Sequence, residues 1–260
     1  MKIGVSYNLY DGEELLAGSI KCIRSEVDYI SVVYQTVSNF GNPCDENLVP
    51  LLEKLKNEGL IDELFEYNPK INKGGHYNEI TKRNIGVSLS LGQNCTHHMS
   101  MDSDEYYLLE QFKYMKKVVD EGNYDSSACQ LQTYYKEPIY RLDPPEDYYV
   151  SLLFKINQNS EYSMGSRLPV LVDPTRCMTP GNCKIFNREE LQMHHFSYIR
   201  KNIRRKLQNS SAVVNFNDRL DKLVDHHTNW SYPKQALMAG LPDKLYNIIK
   251  VKNLFDEIIN

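Results

Sequence analysis

Cys95-Thr96-His97-His98-Met99-Ser100-Met101-Asp102-Ser103-Asp104-Glu105-Tyr106-Tyr107 joins a short apolar run to an acidic cluster. His97 to Met101 has the length and apolar content of a strand, and it runs straight into Asp102. Two carboxylates flanking one residue at a strand end can converge on one hard divalent cation. Mg²⁺ or Mn²⁺ is expected, because both prefer oxygen ligands and are often completed by substrate phosphates. Such an ion offsets the charge that builds on a departing diphosphate. A bare Asp-x-Asp also arises in acidic loops and in the first turn of helices. Its surroundings therefore have to decide its meaning.

Upstream, strand and helix signals alternate. Ile3, Val5 and Tyr7 alternate with smaller residues as a strand does. Asp11 then offers an N-cap with Glu14 at capping-box spacing, and Leu16, Ile20 and Ile23 follow on one helical face. Tyr29 to Tyr34 reads as a second strand. Leu48, Leu51, Leu52 and Leu55 line a second helix that Gly59 stops, and Leu64 to Tyr67 reads as a third strand. A helix is expected over 77–91, directly before the acidic strand. This alternation predicts βαβ units and a mainly parallel sheet flanked by helices, with ligands beyond the carboxyl ends of the strands. The residues at the end of the first strand, Ser6, Tyr7, Asn8 and Tyr10, are therefore expected against a bound ligand.

The second half is less regular. Leu108, Phe112, Met115 and Val119 mark another amphipathic helix. Tyr134 to Tyr149 reads as a long Tyr- and Pro-rich loop, Pro169 to Asp173 as a strand, and Met193 to Ile199 as another strand. Helical patterns are expected near 199–209 and 242–257, the latter from Leu245, Ile248 and Ile249. Arg200 to Lys206 carries five basic residues in seven positions. One of them, Lys206 or Arg200, is expected to reach a diphosphate, while the others form a solvated face. An enzyme that takes a proton from a hydroxyl needs a carboxylate placed for it. The candidates are Glu146, Asp147 and Asp173, although an Asp before Pro is also an ordinary turn former.

The Cys95–Tyr107 segment resembles the strand-plus-DxD segment of GT-A-fold nucleotide-sugar glycosyltransferases, in the broad family-2-like group. Arg83-Asn84, on the preceding helix, matches the Arg-Asn that such enzymes place near the nucleotide. The resemblance covers residues 1 to 120 well and thins beyond residue 130. It implies a GT-A-like Rossmann-type α/β domain with a helical C-terminal segment. Residues 1–120 would be the nucleotide-sugar-binding half, 121–215 the acceptor-binding and metal-completing half, and 216–260 the C-terminal helical segment. It implies a donor that is a nucleotide-diphosphate sugar, held by Arg83, Asp102, Ser103 and Lys206, and a hydroxyl acceptor on a glycan. Asp102 and Asp104 would hold the metal. The His-aromatic-Ser piece at His195-Phe196-Ser197 would add a third ligand, His195, with its neighbour His194 the alternative. Adjacent strand residues point to opposite faces, so only one of the two can serve.

Bulk properties narrow the partners. The net charge of −4 gives no basic field for nucleic acid or anionic lipid. No apolar run approaches a membrane span, and the first residues lack a signal-peptide pattern. The six cysteines form no C-x-x-C pair, which points to reduced thiols and a cytoplasmic setting. His76, His97, His98, His226 and His227 have no acidic partner in sequence and read as structural. Two other classes compete. A nucleotidyltransferase would show a basic Gly-rich loop after the first strand, where this chain has the acidic Asn8–Glu13. A sugar-binding relative without catalysis would have no need of an intact Asp102-Ser103-Asp104.

Overall fold

The computed structural model describes residues 1–240, 242–256 and 258. In chain order the elements are β1 (Ile3–Leu9), α1 (Glu13–Ile23), β2 (Tyr29–Tyr34), α2 (Leu48–Asn57), β3 (Glu63–Glu66), α3 (Gly75–Gly92), β4 (His97–Asp102) and β5 (Glu105–Tyr106). There follow α4 (Leu109–Glu121), β6 (Ser126–Tyr135), β7 (Glu137–Asp143), β8 (Tyr149–Lys155), β9 (Cys183–Phe186) and β10 (Gln192–Tyr198). The chain closes with α5 (Ile203–Gln208), α6 (Leu220–Thr228), β11 (Ala236–Met238) and β12 (Lys244–Lys250).

The main sheet runs β11-β12-β7-β6-β8-β4-β1-β2-β3. Its β4-β1-β2-β3 portion is wholly parallel, as the βαβ alternation predicts. Beyond β4 the pairing turns antiparallel through β8, β6, β7 and β12. β1 shows why the centre is stable. Ile3, Val5, Tyr7 and Leu9 are fully buried in the main core, facing one side. Gly4 and Ser6 face the other side and keep it thin. A Cβ on Gly86 of α3 would meet Ser6 Oγ at 2.3 Å, so the small pair Gly86 and Ser6 lets α3 lie close on the sheet.

Several local expectations give way to tertiary context. α1 begins at Gly12, in the left-handed region at φ 82°, and not at an Asp11 cap. The Asp11 carboxylate is turned instead to Arg205. The 134–149 loop is a hairpin, with β6 running to Tyr135, Lys136 turning at φ 67°, and β7 returning. Tyrosines suit strands, and Pro138 sits at the strand's start, where its missing N–H is tolerated. The expected strand at 169–173 is irregular. Two prolines bracket it, and Asp173 caps a 3-10 turn over Pro174–Arg176 by accepting from Thr175 N at 2.8 Å.

The C-terminal helix expected over 242–257 is also absent across 244–250. That stretch is β12, paired antiparallel to β7 from Asn247↔Asp143 to Lys250↔Tyr140. An Ile-rich run of this length fits a strand as well as a helix, and the open edge of β7 decides the matter. Position 257 lies outside the described residues. The helical part of the C-terminal segment is α6. No described helix is long and apolar enough to cross a membrane.

Candidate active site

The register of the parallel strands places Asp102 beside Asn8, at the carboxyl ends of β4 and β1. Gly12 packs directly on the turn that follows. A Cβ there would meet Ser103 Oγ and Arg200 Nη1, each at 2.7 Å. β10 then zips onto β5, with His195 opposite Glu105 and His194 opposite Tyr106. Phe196 N donates to Asp104 O at 2.8 Å. A strand ninety residues downstream in the chain is thereby locked to the acidic turn.

Strand alternation separates the two histidines. His194 is fully buried, bonded through Nδ1 to the Tyr134 hydroxyl at 2.9 Å and packed edge-on against Phe255. His195 turns to the acidic side, with Nε2 3.9 Å from Asp104 Oδ1 and Nδ1 3.4 Å from Thr133 Oγ1. Burial draws the His195 imidazole down to about 4, with Asp104 pulling the other way, so it is neutral and available as a ligand near pH 7.

Asp102, Asp104 and Glu105 bring carboxylate oxygens within 4.8 Å of one another. Four cations answer them. Arg176 donates to Asp102 Oδ2 at 2.7 Å and also pairs with Glu105. Arg200 donates to Asp104 Oδ2 at 2.6 Å, with Lys206 Nζ at 4.0 Å from the same oxygen. Arg83 donates to Ser100 Oγ at 2.6 Å and lies 3.7 Å from Asp102 Oδ1. Burial pushes the Asp104 carboxyl up, but Arg200, His195 and Lys206 outweigh it and hold it well below the usual carboxylate range. For Asp102, Arg176 and Arg83 likewise overcome burial and keep the carboxyl low. Glu105 is the exception. Burial and its two acidic neighbours raise it despite Arg176.

These groups lie in or against a cleft of 220 Å³ at the carboxyl ends of the strands. Of the residues expected to meet a nucleotide sugar, Asn8, Tyr10, Arg83, Asp102, Ser103 and Lys206 line it. Asn8 Oδ1 is buried without a partner, while Tyr10 donates to Pro43 O at 2.9 Å. Ser6 and Tyr7 do not line it. Both are fully buried within the layers, Ser6 under Gly86 and Tyr7 bonded to Ser19 Oγ at 3.0 Å. They sit two or more residues short of the strand's end, where alternation points them into packing rather than over the edge.

Among the three candidate bases, Asp173 lines the cleft, with Oδ1 held by Thr175. Asp147 is exposed and does not line it. Glu146 is largely buried outside the cleft lining, its carboxyl raised by burial and its backbone carbonyl bonded to Arg188.

The sequence reading did not assign Arg176, Glu105 or Lys82. Glu105 stands within the acidic run and was legible there. Arg176 had no signal, because it reaches Asp102 across 74 residues of chain. The roof of the cleft was legible only as a basic run. Arg205 forks onto Asp11, Glu13 and Asp45 at 2.6 to 2.9 Å, and Asn42 Nδ2 donates to Asn209 Oδ1 at 2.9 Å. These contacts hold Lys206 and residues 209–211 along the cleft.

No family model matches the chain, and no curated protein matches it. Among solved structures it is similar to the 1–349 fragment of S. aureus TarS, at TM-score 0.50 and 12% identity over 88% of this chain and 71% of that one. Against a longer S. aureus TarS structure the values are 0.48 and 12% over 89% of this chain, which spans 44% of that chain's length. GalNAc-T7 with UDP, GalNAc and Mn²⁺ gives 0.45 and 8%, over 89% of this chain and 52% of that one. The chain has the α/β fold of the GT-A glycosyltransferases.

Proposed function

We propose that this chain is a metal-dependent glycosyltransferase that moves a sugar from a nucleotide-diphosphate donor to an acceptor hydroxyl on a glycan. The observation that carries this reading is the cleft itself. An acidic cluster at the end of β4 faces Lys82, Arg83, Arg200 and Lys206 across one space, which suits a cation and a diphosphate together. In this reading residues 1–120 form the donor half, 121–215 complete the metal site and receive the acceptor, and the remainder closes the chain. Six free thiols, four of them buried, suit a reducing cytoplasm.

The donor set fits Mn²⁺ or Mg²⁺. It is oxygen-rich, and Glu105 Oε2 is buried without a partner. Asp102 and Asp104 would hold the ion, with the neutral His195 adding a ligand but no further negative charge. When bound, the ion offsets charge on the departing diphosphate. Arg200 and Lys206, which now neutralise Asp104, are placed to turn to the phosphates. Asn8 and Tyr10 take the nucleotide side, and Ser103, donating to Asp11 O at 3.4 Å, fixes the turn between them. Asp173 is the base of choice, because it lines the cleft and Thr175 fixes one oxygen while the other can accept a proton.

The test is a thermal-shift panel of nucleotide sugars with Mn²⁺, followed by transfer to sugar acceptors. One donor should raise the midpoint by mass action, and EDTA should cancel both the shift and the transfer. Asp173→Asn should keep the shift and lose transfer. A transfer rate untouched by EDTA sinks the metal role, and no shift with any donor sinks the transferase.

A second expectation separates the histidines. His195→Ala should weaken apparent Mn²⁺ affinity about tenfold or more and leave stability near the parent. His194→Ala should leave Mn²⁺ affinity unchanged but cost about 2–4 kcal/mol, since it empties a buried aromatic contact. Mn²⁺ titration and urea denaturation of both variants decide it. If the metal effect follows His194, the assignment is reversed.

A further inference from the structure

Each arginine at the cleft is committed to a partner, and Lys206 already lies within ion-pair reach of Asp104. Lys82 differs. It is 5% exposed, it lines the cleft from α3, and among the described residues it enters no ion pair or hydrogen bond. Glu79, one turn earlier on the same helix, and Asp102 attract it from beyond ion-pair range, while the neighbouring Arg83 repels it. Burial draws the ammonium down to about 8, so it remains mostly charged at neutral pH.

The Lys82 stem is buried while its ammonium opens into the cleft, with no carboxylate of the described residues within ion-pair reach. Long stems do lie along apolar surface to bring their heads into water. Here the head arrives in a cleft lined by acids, Glu79 and Asp102 among them, and by other cations, yet none of those acids comes within ion-pair reach of it. A packing role accounts for the stem and leaves the charge unexplained. An anionic ligand accounts for both.

We propose that Lys82 is a donor-specificity residue that pairs with an oxyanion of the bound ligand, either the diphosphate or a carboxylate on the transferred sugar. This rests on the transferase reading. The pairing supplies the counter-ion that the protein withholds, and it makes the α3 wall selective for ligands with charge at that depth.

The test is calorimetric titration of the full chain and of Lys82→Met, in Mn²⁺, with UDP, GDP, ADP, UDP-glucose and UDP-glucuronate. Charge-assisted hydrogen bonds are strong enough that losing one should weaken binding about tenfold or more. If Lys82 meets the diphosphate, Lys82→Met weakens the preferred nucleoside diphosphate itself. If it meets a sugar carboxylate, the parent prefers UDP-glucuronate over UDP-glucose and the variant loses that preference. In either case Lys82→Met should melt close to the parent, because the stem's volume is kept and no ion pair or hydrogen bond among the described residues is removed. A variant that matches the parent on every ligand overturns the assignment and leaves the transferase standing. So does a variant that binds poorly only because it is less stable. A parent that binds none of the five overturns both.

Discussion

Asp104→Ala is expected to abolish transfer and to cost about 3–5 kcal/mol of stability, whereas Asp102→Ala should abolish transfer alone. From sequence, both acids read as loop residues whose removal would cost about 0.5 kcal/mol. The structure distinguishes them. Asp104 is 4% exposed, and its Oδ2 takes the Arg200 guanidinium, whose Nε and Nη1 are already buried without partners. Deleting Asp104 strands a buried cation. The Asp102 side chain is 41% exposed, and without it Arg176 still has Glu105 and Arg83 still has Ser100.

Because the folded Asp104 carboxyl lies below its unfolded value, its contribution is fully present above the ordinary carboxylate range near pH 4. It is lost as pH falls from there toward the lower folded value. Parent and Asp104→Ala should therefore converge in stability under acid. Urea midpoints at pH 7 and pH 3, beside transfer rates, are the measurement. An Asp104→Ala protein as stable as Asp102→Ala at pH 7 would show that Arg200 finds another partner. Retention of more than about a tenth of the activity by either variant would remove the ligand role.

Arg176→Met is the second large effect, again about 3–5 kcal/mol, and it should be repaired by a divalent ion. Arg176 is 4% exposed and sits between Asp102 and Glu105, with its backbone carbonyl bonded to Ser151 Oγ at 2.8 Å. Without it, Glu105 loses its basic partner and Asp102 is left with Arg83 at 3.7 Å, while Asp104 keeps Arg200. The variant should gain more stability from Mn²⁺ than the parent does, since the ion supplies the missing charge and binds only the folded site. The double variant Arg176→Met with Glu105→Gln should recover much of the loss, because the two residues share one interaction. Urea denaturation with and without Mn²⁺ checks all three proteins. An Arg176→Met chain within about 1 kcal/mol of the parent would mean the acids tolerate one another unaided.

The first half was legible because its information is local. The helices and most strands from β1 through α4 bury one face or both, so 3.6-residue and 2-residue periods name them, and a parallel βαβ order leaves few arrangements. The acidic pair was legible for the same reason, as two carboxylates one residue apart at a strand end. The pairing of β10 with β5 was not local, and it alone decides which of two adjacent histidines faces Asp104. Nor was the fate of 244–250, where a run fit for helix or strand takes the partner that β7 leaves open. Arg176 and Arg205 meet their acids across 71 to 194 residues, and a basic residue in sequence carries no mark of which distant carboxylate it neutralises. Local pattern determined the fold's first half and the acidic pair at the end of β4. Long-range pairing of strands and buried charges decided the rest, because only the closed structure sets which groups lose water together.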